Sequence, residues 1–374
     1  MTEQQPIQVM IVEDSRVVRE MLEHVINLDP RLRVAASCSS AEQALQLLSA
    51  TAPDVISMDI HLPGMNGLEA TRRIMEIRPT PIVVVSRSVR SRDQTASIEA
   101  LQAGALAVLE KPVSVAHADY QAMSHRLCTQ LADMSKVKVV RQRFNRSHHS
   151  RIDDARMPPR DPLTCASSMP SKAAGEFAVV GVVASTGGPH ALEVIFSQLK
   201  ADFRLPIVVV QHITPSFHEG FVDWLNHVSP LQVYQAVEGL PIEPRHVYVA
   251  PKDRHLLVKP TGFSIGGSAP DNGHCPSGTV LFRSLAERFG SRAIGVLLTG
   301  MGRDGADGLL AMKRAGAFTI AEHESSAIVN GMPGTARELG AECVSLPLSA
   351  IAGALRQLSC NSRKNKPCAT AIES

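Results

Sequence analysis

Short apolar runs alternate with amphipathic helical segments over the first third of the chain. Strands are predicted at residues 7–12, 34–38, 54–58, 82–85 and 105–109. Helices are predicted at 15–27, 40–48, 68–76 and 93–103, where apolar residues recur at helical spacing. Strands that alternate with helices in this way are typical of an α/β domain with a doubly wound parallel sheet, predicted here for residues 1–125.

The same alternation returns in the second half of the chain and predicts a second doubly wound α/β domain, residues 175–360. Its strands are predicted at 177–184, 207–210, 247–249, 293–298 and 318–321, and its helices at 190–199, 216–226, 280–289, 305–315 and 349–358. Residues 126–174 are rich in Lys, Arg, Pro and Ser, which indicates a basic, flexible linker. Residues 361–374 are predicted to form a polar tail.

Composition narrows the classes of function. The 374 residues are 44% hydrophobic and 20% charged, which is typical of a globular protein. The net charge of +2 and an aromatic content of 4% argue against nucleic-acid binding. The seven cysteines include no C-x-x-C pair, and no apolar run approaches the roughly 18 residues of a membrane span. We therefore expect a cytoplasmic protein that is not inserted into a membrane.

Polar residues follow the predicted strands of the first domain where each strand ends. Glu13 and Asp14 follow the first strand, Asp59 the third, Ser86 the fourth and Lys111 the fifth. Because the carboxyl ends of parallel strands meet at one edge of a sheet, these side chains are expected to converge. Three carboxylates need a counter-charge, which favours binding of Mg²⁺. One carboxylate could then accept a phosphoryl group, and the serine and the lysine could bind the phosphoryl oxygens.

This layout resembles the receiver domain of two-component response regulators, which implies a flavodoxin-like fold. The motifs that carry the resemblance are Val12-Glu13-Asp14-Ser15, Met58-Asp59, Leu62-Pro63-Gly64-Met65-Asn66-Gly67, Val85-Ser86 and Lys111-Pro112. The resemblance implies that Asp59 is phosphorylated by a sensor histidine kinase. It also implies that Glu13, Asp14 and Asp59 form an Mg²⁺ site. Ser86 and Lys111 are implied to be the two switch residues.

The second domain has a serine, a histidine and an aspartate at three predicted strand ends. Ser185 follows the first strand, and Gly187 and Gly188 beside it allow a substrate to approach closely. His212 follows the second strand, and Asp304 lies in a glycine-rich loop after a later one. These are the residue types of a nucleophile, a general base and an orienting acid. A serine before a helix is also a common N-cap, and a lone histidine is often structural.

A dinucleotide-binding site is a competing interpretation of the glycine-rich loop. Gly300, Gly302 and Gly305 match the G-x-G-x-x-G fingerprint, and Glu322 ends the following strand at about the expected spacing. The fingerprint normally follows the first strand of its fold, however, and it leaves the serine and the histidine unexplained. The hydrolase interpretation is therefore favoured.

The second domain also resembles the catalytic domain of the chemotaxis protein-glutamate methylesterase (CheB) family, which implies a Rossmann-like α/β esterase fold. The matching segments are 184–189, 211–212, 247–251, 281–284, 295–305, 321–322 and 331–333. The resemblance implies hydrolysis of glutamate methyl esters on the cytoplasmic domains of chemoreceptors and, in some members, deamidation of receptor glutamines. It implies that Ser185, His212 and Asp304 are catalytic, and that no cofactor is used there. Substrate or the oxyanion is expected to contact Thr186, Gly187, Gly188 and Met301.

Some positions depart from the two family patterns. In the receiver, Val108 stands where an aromatic residue is usual, and Arg87 where a small one is common. In the catalytic domain, Val183 replaces a glycine that is common two residues before the serine. The segment Cys275-Pro276-Ser277-Gly278-Thr279 departs from the usual Pro-Ser-Val-Asp run.

The order of the two domains is the full-length architecture of the methylesterase family and implies control by phosphorylation. The unphosphorylated receiver is expected to cover the esterase cleft, and phosphorylation of Asp59 is expected to expose Ser185. Two other classes of function fit the sequence less well. A receiver-linked transcription factor needs a basic helix-turn-helix, which the sequence of 175–360 does not suggest. A non-catalytic scaffold leaves the complete triad without a role.

Overall fold

The computed structural model describes residues 5–86, 99–111, 120–137, 139, 177–271 and 273–360. Arg87, Pro112, most of the predicted linker and the predicted tail lie outside these residues. The chain divides into two compact units, one with a five-stranded sheet and the other with a seven-stranded sheet. Among the helices described, none has both the length and the apolar character needed to cross a membrane.

The first sheet is parallel, with strand order β2-β1-β3-β4-β5. Its strands are β1 Ile7–Val12, β2 Leu32–Cys38, β3 Val55–Met58, β4 Ile82–Ser86 and β5 Ala107–Glu110. The helices of this unit are α1 Arg16–Leu28, α2 Ala41–Thr51, α3 Gly67–Ile77 and α4 Tyr120–Met134. This order is that of a flavodoxin-like sheet, as predicted, and it reverses direction between β1 and β3. The carboxyl ends of these two strands therefore frame the crevice in which such sheets bind ligands.

The second sheet is also parallel, with order β14-β13-β12-β6-β7-β9-β8. Its strands are β6 Val179–Ala184, β7 Ile207–Gln211, β8 Gln232–Gln235, β9 His246–Val249, β12 Ala293–Leu297, β13 Phe318–Glu322 and β14 Val344–Leu346. A separate antiparallel hairpin consists of β10 Leu256–Lys259 and β11 Gly262–Ile265. The predicted doubly wound sheet is confirmed, and its order reverses direction between β6 and β12.

The helices within residues 177–360 are α5 Gly188–Ser197, α6 His218–Val228, α7 Gly278–Phe289, α8 Ala306–Arg314, α9 Met332–Glu338 and α10 Leu348–Cys360. Four elements were not predicted from the sequence: β8, the β10–β11 hairpin, α9 and β14. Each is short, and β8 buries only one of its four residues, Val233. Such segments are too short to show a clear apolar period.

Helix α4 extends into the segment that the sequence assigned to the linker. Residues 126–134 form its second half and bury Leu127, Cys128, Leu131 and Ala132. These positions have the three-to-four spacing of an amphipathic helix. The predicted helix at 93–103 is described only from residue 99 onward.

Helix α7 packs unusually close to the second sheet because two glycines leave room for it. A Cβ atom on Gly181 of β6 would lie 2.4 Å from Leu285 Cδ1 of this helix. A Cβ atom on Gly308 of α8 would lie 2.8 Å from the main-chain oxygen of Thr279. Helix α7 is therefore fixed on one side by the sheet, at Leu285, and on the other by α8, at Thr279.

Replacing Gly67 is expected to destabilise the first unit. A Cβ atom on this residue would lie 2.0 Å from the main-chain oxygen of Asp59. Because main chain cannot rotate aside as a side chain can, Gly67→Ala is expected to lower the free energy of unfolding by about 2 kcal/mol or more. In the matched variant Gly353→Ala, the methyl group meets no atom within 4 Å. That variant is expected to stabilise α10 by up to about 1 kcal/mol. Urea unfolding followed by circular dichroism measures both, and equal midpoints would contradict the expectation.

Candidate active and phosphoacceptor sites

Three carboxylates of the first unit lie together at the crevice between β1 and β3. Glu13 and Asp14 follow β1, Asp59 follows β3, and their ligand oxygens all lie within 4.8 Å of one another. Glu13 is 1% exposed and Asp59 is 4% exposed, whereas Asp14 is open to solvent. The sheet topology thus gathers the acids that the sequence predicted to meet.

Lys111 is the buried cation of this cluster. Its Nζ lies 2.7 Å from Glu13 Oε2 and 2.8 Å from Asp59 Oδ2. Burial raises the pKa of Glu13, and the hydrogen bond from Lys111 acts in the opposite direction. Asp59 Oδ1 and Ser86 Oγ are buried and make no hydrogen bond within the part of the chain described. One ammonium against three carboxylates leaves a negative site with an unused carboxylate oxygen, a donor set that fits Mg²⁺.

The two predicted switch residues lie at the ends of adjacent strands. The main-chain N–H of Lys111 donates to Ser86 O at 3.0 Å, which ties the end of β5 to the end of β4. Val108 of β5 is 8% exposed and packs into the core of the unit with Val84 and Met58 among its members. The position where receiver domains usually carry an aromatic residue is therefore an aliphatic core position here.

Ser185 and His212 follow neighbouring strands of the second sheet. Ser185 comes directly after β6 and His212 directly after β7. The main-chain N–H of His212 donates to Ala184 O at 3.0 Å, which sets the two strand ends in register. Asp304 lies between β12 and α8, and β12 is the other neighbour of β6. All three residues therefore follow strands at the crevice where the strand order reverses.

The carboxylate of Asp304 orients the imidazole of His212. His212 Nε2 lies 2.9 Å from Asp304 Oδ2, and Asp304 is 1% exposed. The other ring nitrogen, Nδ1, is buried and has no hydrogen-bond partner among the residues described. When Nε2 carries the proton shared with the carboxylate, Nδ1 has a free lone pair, as a general base requires.

The start of α7 supplies three further donors to Asp304. Oδ1 accepts hydrogen bonds from Ser277 Oγ at 2.8 Å and from Thr279 N–H at 3.0 Å. Oδ2 accepts one from Gly278 N–H at 2.6 Å. Burial acts to raise the pKa of Asp304. The hydrogen bonds from His212 and from the two N–H groups outweigh it, and they hold that pKa below its usual range. Asp304 is therefore ionised at neutral pH.

His274 lies against the histidine and was not predicted from the sequence. Its ring stacks on that of His212, with centroids 4.2 Å apart and planes 20° apart. Its own segment is closed by two main-chain hydrogen bonds with Asp271, both 3.0 Å. Ser277, another unpredicted residue, is recognisable in the sequence only as an N-cap, since its Oγ accepts from Val280 N–H. No motif marks His274.

His212, His274 and Asp304 also offer ligand atoms within 4.8 Å of one another, which raises the alternative of a metal site. The hydrogen bonds at the carboxylate argue against it. Each oxygen of Asp304 already accepts two hydrogen bonds, so both lone pairs of each oxygen are used. The two imidazole rings are nearly parallel, so the lone pairs of their nitrogens run side by side and do not converge on one ion.

The residues expected to contact substrate lie in two loops. Thr186 and Gly187 connect β6 to α5, Gly188 opens that helix, and Gly187 has a positive φ of 78°. Met301 lies in the loop after β12 and is partly exposed. This second loop is held by Gly300, whose N–H donates to Val329 O at 3.0 Å and whose oxygen accepts from Met332 N–H at 2.8 Å.

Glu322 bears on the dinucleotide interpretation of that loop. Its side chain is fully buried. Its two oxygens accept hydrogen bonds from Thr299 N–H at 2.9 Å and from Ser326 Oγ at 3.0 Å. A ribose-binding carboxylate has to face the ligand, so this residue holds the loop in place and is not available to a nucleotide.

Comparisons with known proteins place this geometry in a family. The CheB methylesterase model matches residues 180–355, and the response regulator receiver domain model matches residues 9–119. Protein-glutamate methylesterase/protein-glutamine glutaminase 2 of Paramagnetospirillum magneticum is 50% identical over 359 residues, spanning 96% of this chain and 99% of its own. The chain belongs to this methylesterase/glutaminase family.

Other members of the methylesterase/glutaminase family give the same result. Protein-glutamate methylesterase/protein-glutamine glutaminase 1 of Syntrophus aciditrophicus is 45% identical over 355 residues, spanning 94% of this chain and 98% of its own. The crystal structure of the Thermotoga maritima CheB methylesterase catalytic domain is 36% identical, covers 50% of this chain and 99% of its own, and has a TM-score of 0.48. The two relatives and the two family models confirm the family resemblance noted in the sequence.

Glu322→Gln is expected to change how stability depends on pH. Burial raises the pKa of Glu322, so the folded protein binds this proton more tightly than the unfolded chain does. Its contribution to stability is therefore greatest at low pH and is lost as pH rises through the folded-state pKa. A glutamine keeps an acceptor for Thr299 N–H and carries no proton to lose. The difference in free energy of unfolding, Glu322→Gln minus the unaltered protein, is expected to become larger as the pH rises from 4 to 7. Urea melts at several pH values measure this, and a constant difference would contradict it.

Proposed function

We propose that this protein hydrolyses glutamate methyl esters on the cytoplasmic domains of chemoreceptors, under control of phosphorylation at Asp59. The observation that carries the proposal is the 2.9 Å pair of His212 Nε2 and the buried Asp304 carboxylate, beside the strand that leads into Ser185. This arrangement supplies an oriented base where the sequence supplies a nucleophile. Membership of the methylesterase/glutaminase family supports the choice of substrate.

In the first half of the proposed reaction, Ser185 Oγ attacks the ester carbonyl carbon and His212 Nδ1 accepts the hydroxyl proton. Ionised Asp304 stabilises the resulting imidazolium through Nε2. When the tetrahedral intermediate collapses, the bond from the carbonyl carbon to the methoxy oxygen breaks. His212 returns the proton to that oxygen, and methanol leaves an acyl-enzyme on Ser185.

In the second half, water attacks the acyl-enzyme and His212 again accepts and returns a proton, which frees glutamate and Ser185. A glutamine side chain follows the same steps with ammonia as the leaving group, which accounts for the second activity in the relatives' names. We assign the negatively charged carbonyl oxygen to main-chain donors in the two loops described above. The donors concerned are Thr186, Gly187 and Met301. Gly188 N–H already donates to Ser185 O at 2.8 Å, so Gly188 is assigned to substrate contact and not to the oxyanion.

Control of this reaction is assigned to the receiver. Asp59 accepts a phosphoryl group from a sensor histidine kinase through its oxygen Oδ1, which has no other hydrogen bond among the residues described. Glu13, Asp14 and Asp59 would hold Mg²⁺, which would supply the positive charge that this transfer needs. Lys111 Nζ and Ser86 Oγ then bind the phosphoryl oxygens and draw the ends of β4 and β5 toward them.

The proposal includes domain limits and a place of action. We assign the receiver to residues 1–125, the linker to 126–174 with α4 extending into it, the catalytic domain to 175–360 and the tail to 361–374. The two family matches fall within the receiver and the catalytic domain so defined. Chemoreceptors and their kinase act at the cytoplasmic face of a membrane, so the protein is assigned to the cytoplasm. Neither nucleic-acid binding nor insertion into the membrane is part of this function.

Methanol release from membranes that carry radiomethylated chemoreceptors tests the proposal. The unaltered protein is expected to release methanol, and acetyl phosphate with Mg²⁺ is expected to raise the rate. Ser185→Ala is expected to lower the rate by about 10⁶-fold, to below detection, because no nucleophile remains. Asp59→Asn is expected to keep the basal rate and to lose the response to acetyl phosphate.

Two outcomes would overturn parts of the proposal. Undiminished release by Ser185→Ala would remove the serine mechanism. An intact response to acetyl phosphate in Asp59→Asn would remove Asp59 as the regulatory acceptor. Circular dichroism of each variant serves as the folding control.

A further inference from the structure

Val183 occupies a central position behind the candidate active site without touching a substrate. It is the fifth residue of β6, two before Ser185, and its side chain is fully buried. Its main chain is held on both sides, because it pairs with Leu297 of β12 and with Val210 of β7. Val183 is therefore fixed in the middle of the sheet, and its β-branched side chain has little freedom to rotate.

The side chain of Val183 fills space left by glycines at the starts of two helices, α7 and α8. A Cβ atom on Gly278 would lie 2.2 Å from Val183 Cγ1, 2.8 Å from Cγ2 and 3.1 Å from Cβ. A Cβ atom on Gly305 would lie 3.3 Å from Val183 Cγ1, and Gly305 also has a positive φ of 84°. The valine thus requires a glycine at 278 and sits close against the residue that follows Asp304.

Both glycines are linked to the carboxylate that orients the histidine. Gly278 N–H donates to Asp304 Oδ2 at 2.6 Å, the same oxygen that lies 2.9 Å from His212 Nε2. Gly305 N–H donates to Thr279 Oγ1 at 2.8 Å, and Thr279 N–H donates to the other oxygen of Asp304. The distance between the start of α7 and β6 therefore sets the hydrogen bonds around Asp304.

We propose that Val183 and Gly278 are a volume-matched pair of positioning residues. The valine side chain sets the distance between the start of α7 and β6, and thereby the alignment of Asp304 with His212. This inference rests on the proposed serine hydrolase function.

A double-substitution cycle tests the pair. Gly278→Ala places a methyl group 2.2 Å from Val183 Cγ1, and the buried valine cannot move aside. The helix start must shift, which is expected to lower kcat for methanol release by about 100-fold, the usual effect of a misplacement of about 1 Å. KM is expected to stay within about threefold, because neither residue touches substrate.

The second substitution is expected to restore activity. Val183→Ala removes both Cγ atoms, so the nearest atom to the new methyl group becomes the Cβ atom at 3.1 Å. The double variant Val183→Ala/Gly278→Ala is therefore expected to recover kcat to within about tenfold of Val183→Ala alone. The matched control is Val182→Ala/Gly278→Ala. Val182 is equally buried on the same strand but faces the opposite side of the sheet, so this control is expected to stay impaired.

The possible failures are distinguishable. The proposed function fails if the unaltered protein releases no methanol, or if Ser185→Ala releases methanol as fast as the unaltered protein does. If both behave as expected but Val183→Ala does not restore Gly278→Ala, or Val182→Ala restores it equally well, the pairing is wrong. Melting temperatures separate folding from positioning. The positioning role is supported if Gly278→Ala loses kcat, the double variant recovers it, and the melting temperatures of both are similar. Full activity of Gly278→Ala alone overturns the positioning role.

Discussion

A buried, ionised carboxylate is the constraint on which the catalytic unit depends. Taking a carboxylate out of water costs several kcal/mol unless hydrogen bonds replace its hydration. Asp304 is 1% exposed and accepts four hydrogen bonds, from His212 and from Ser277, Gly278 and Thr279. Three of these donors come from the N-terminus of α7, where unpaired N–H groups and the helix dipole favour negative charge. The sheet, the helix and the histidine must therefore all be in place before this charge is tolerated.

The buried carboxylates of the two units differ in how fully they are hydrogen-bonded. Around Asp304 every lone pair is used, which fixes the group and leaves it with a purely orienting role. At the phosphoacceptor site Asp59 Oδ1 and Ser86 Oγ are buried without hydrogen-bond partners among the residues described, and Lys111 is shared between two carboxylates. Unsatisfied buried groups are costly, so a ligand that hydrogen-bonds to these two atoms would gain free energy here. The carboxylate of Asp304 has no acceptor capacity left, whereas that of Asp59 has.

Much of both sites was predictable because strand ends are visible in a sequence. Asp59 and His212 each follow an apolar run, and parallel sheets bring such ends together. The support for Asp304 was not predictable in the same way. Ser277 to Thr279 are remote from it in sequence and act mainly through main-chain N–H groups, which no residue type identifies. His274 stacks on His212 through a contact that depends on the path of an irregular segment.

The limits of prediction were similar in the fold. The long alternating segments gave both parallel sheets, but β8 and β14 were too short to show a period. Helix α4 was assigned to the linker over residues 126–134, although its buried positions are spaced as in a helix. The polar residues Thr129 and Gln130 lie between those positions, and the linker composition that follows obscured the helical pattern. The close packing at Gly278 depends on Val183, almost a hundred residues earlier, and becomes visible only when both are placed in the structure.

The protonation state of His212 is the most direct test of the central claim that Asp304 orients this ring as a base. Long-range proton–nitrogen correlation spectra of protein with ¹⁵N-labelled histidine report which ring nitrogen carries the proton, and a His212→Gln variant assigns the signals. At mildly alkaline pH we expect His212 to carry its proton on Nε2, facing Asp304, and to have an unprotonated Nδ1. In Asp304→Asn we expect this preference to be lost. A proton on Nδ1 in the unaltered protein would contradict the claim, because that nitrogen could not then accept the serine proton.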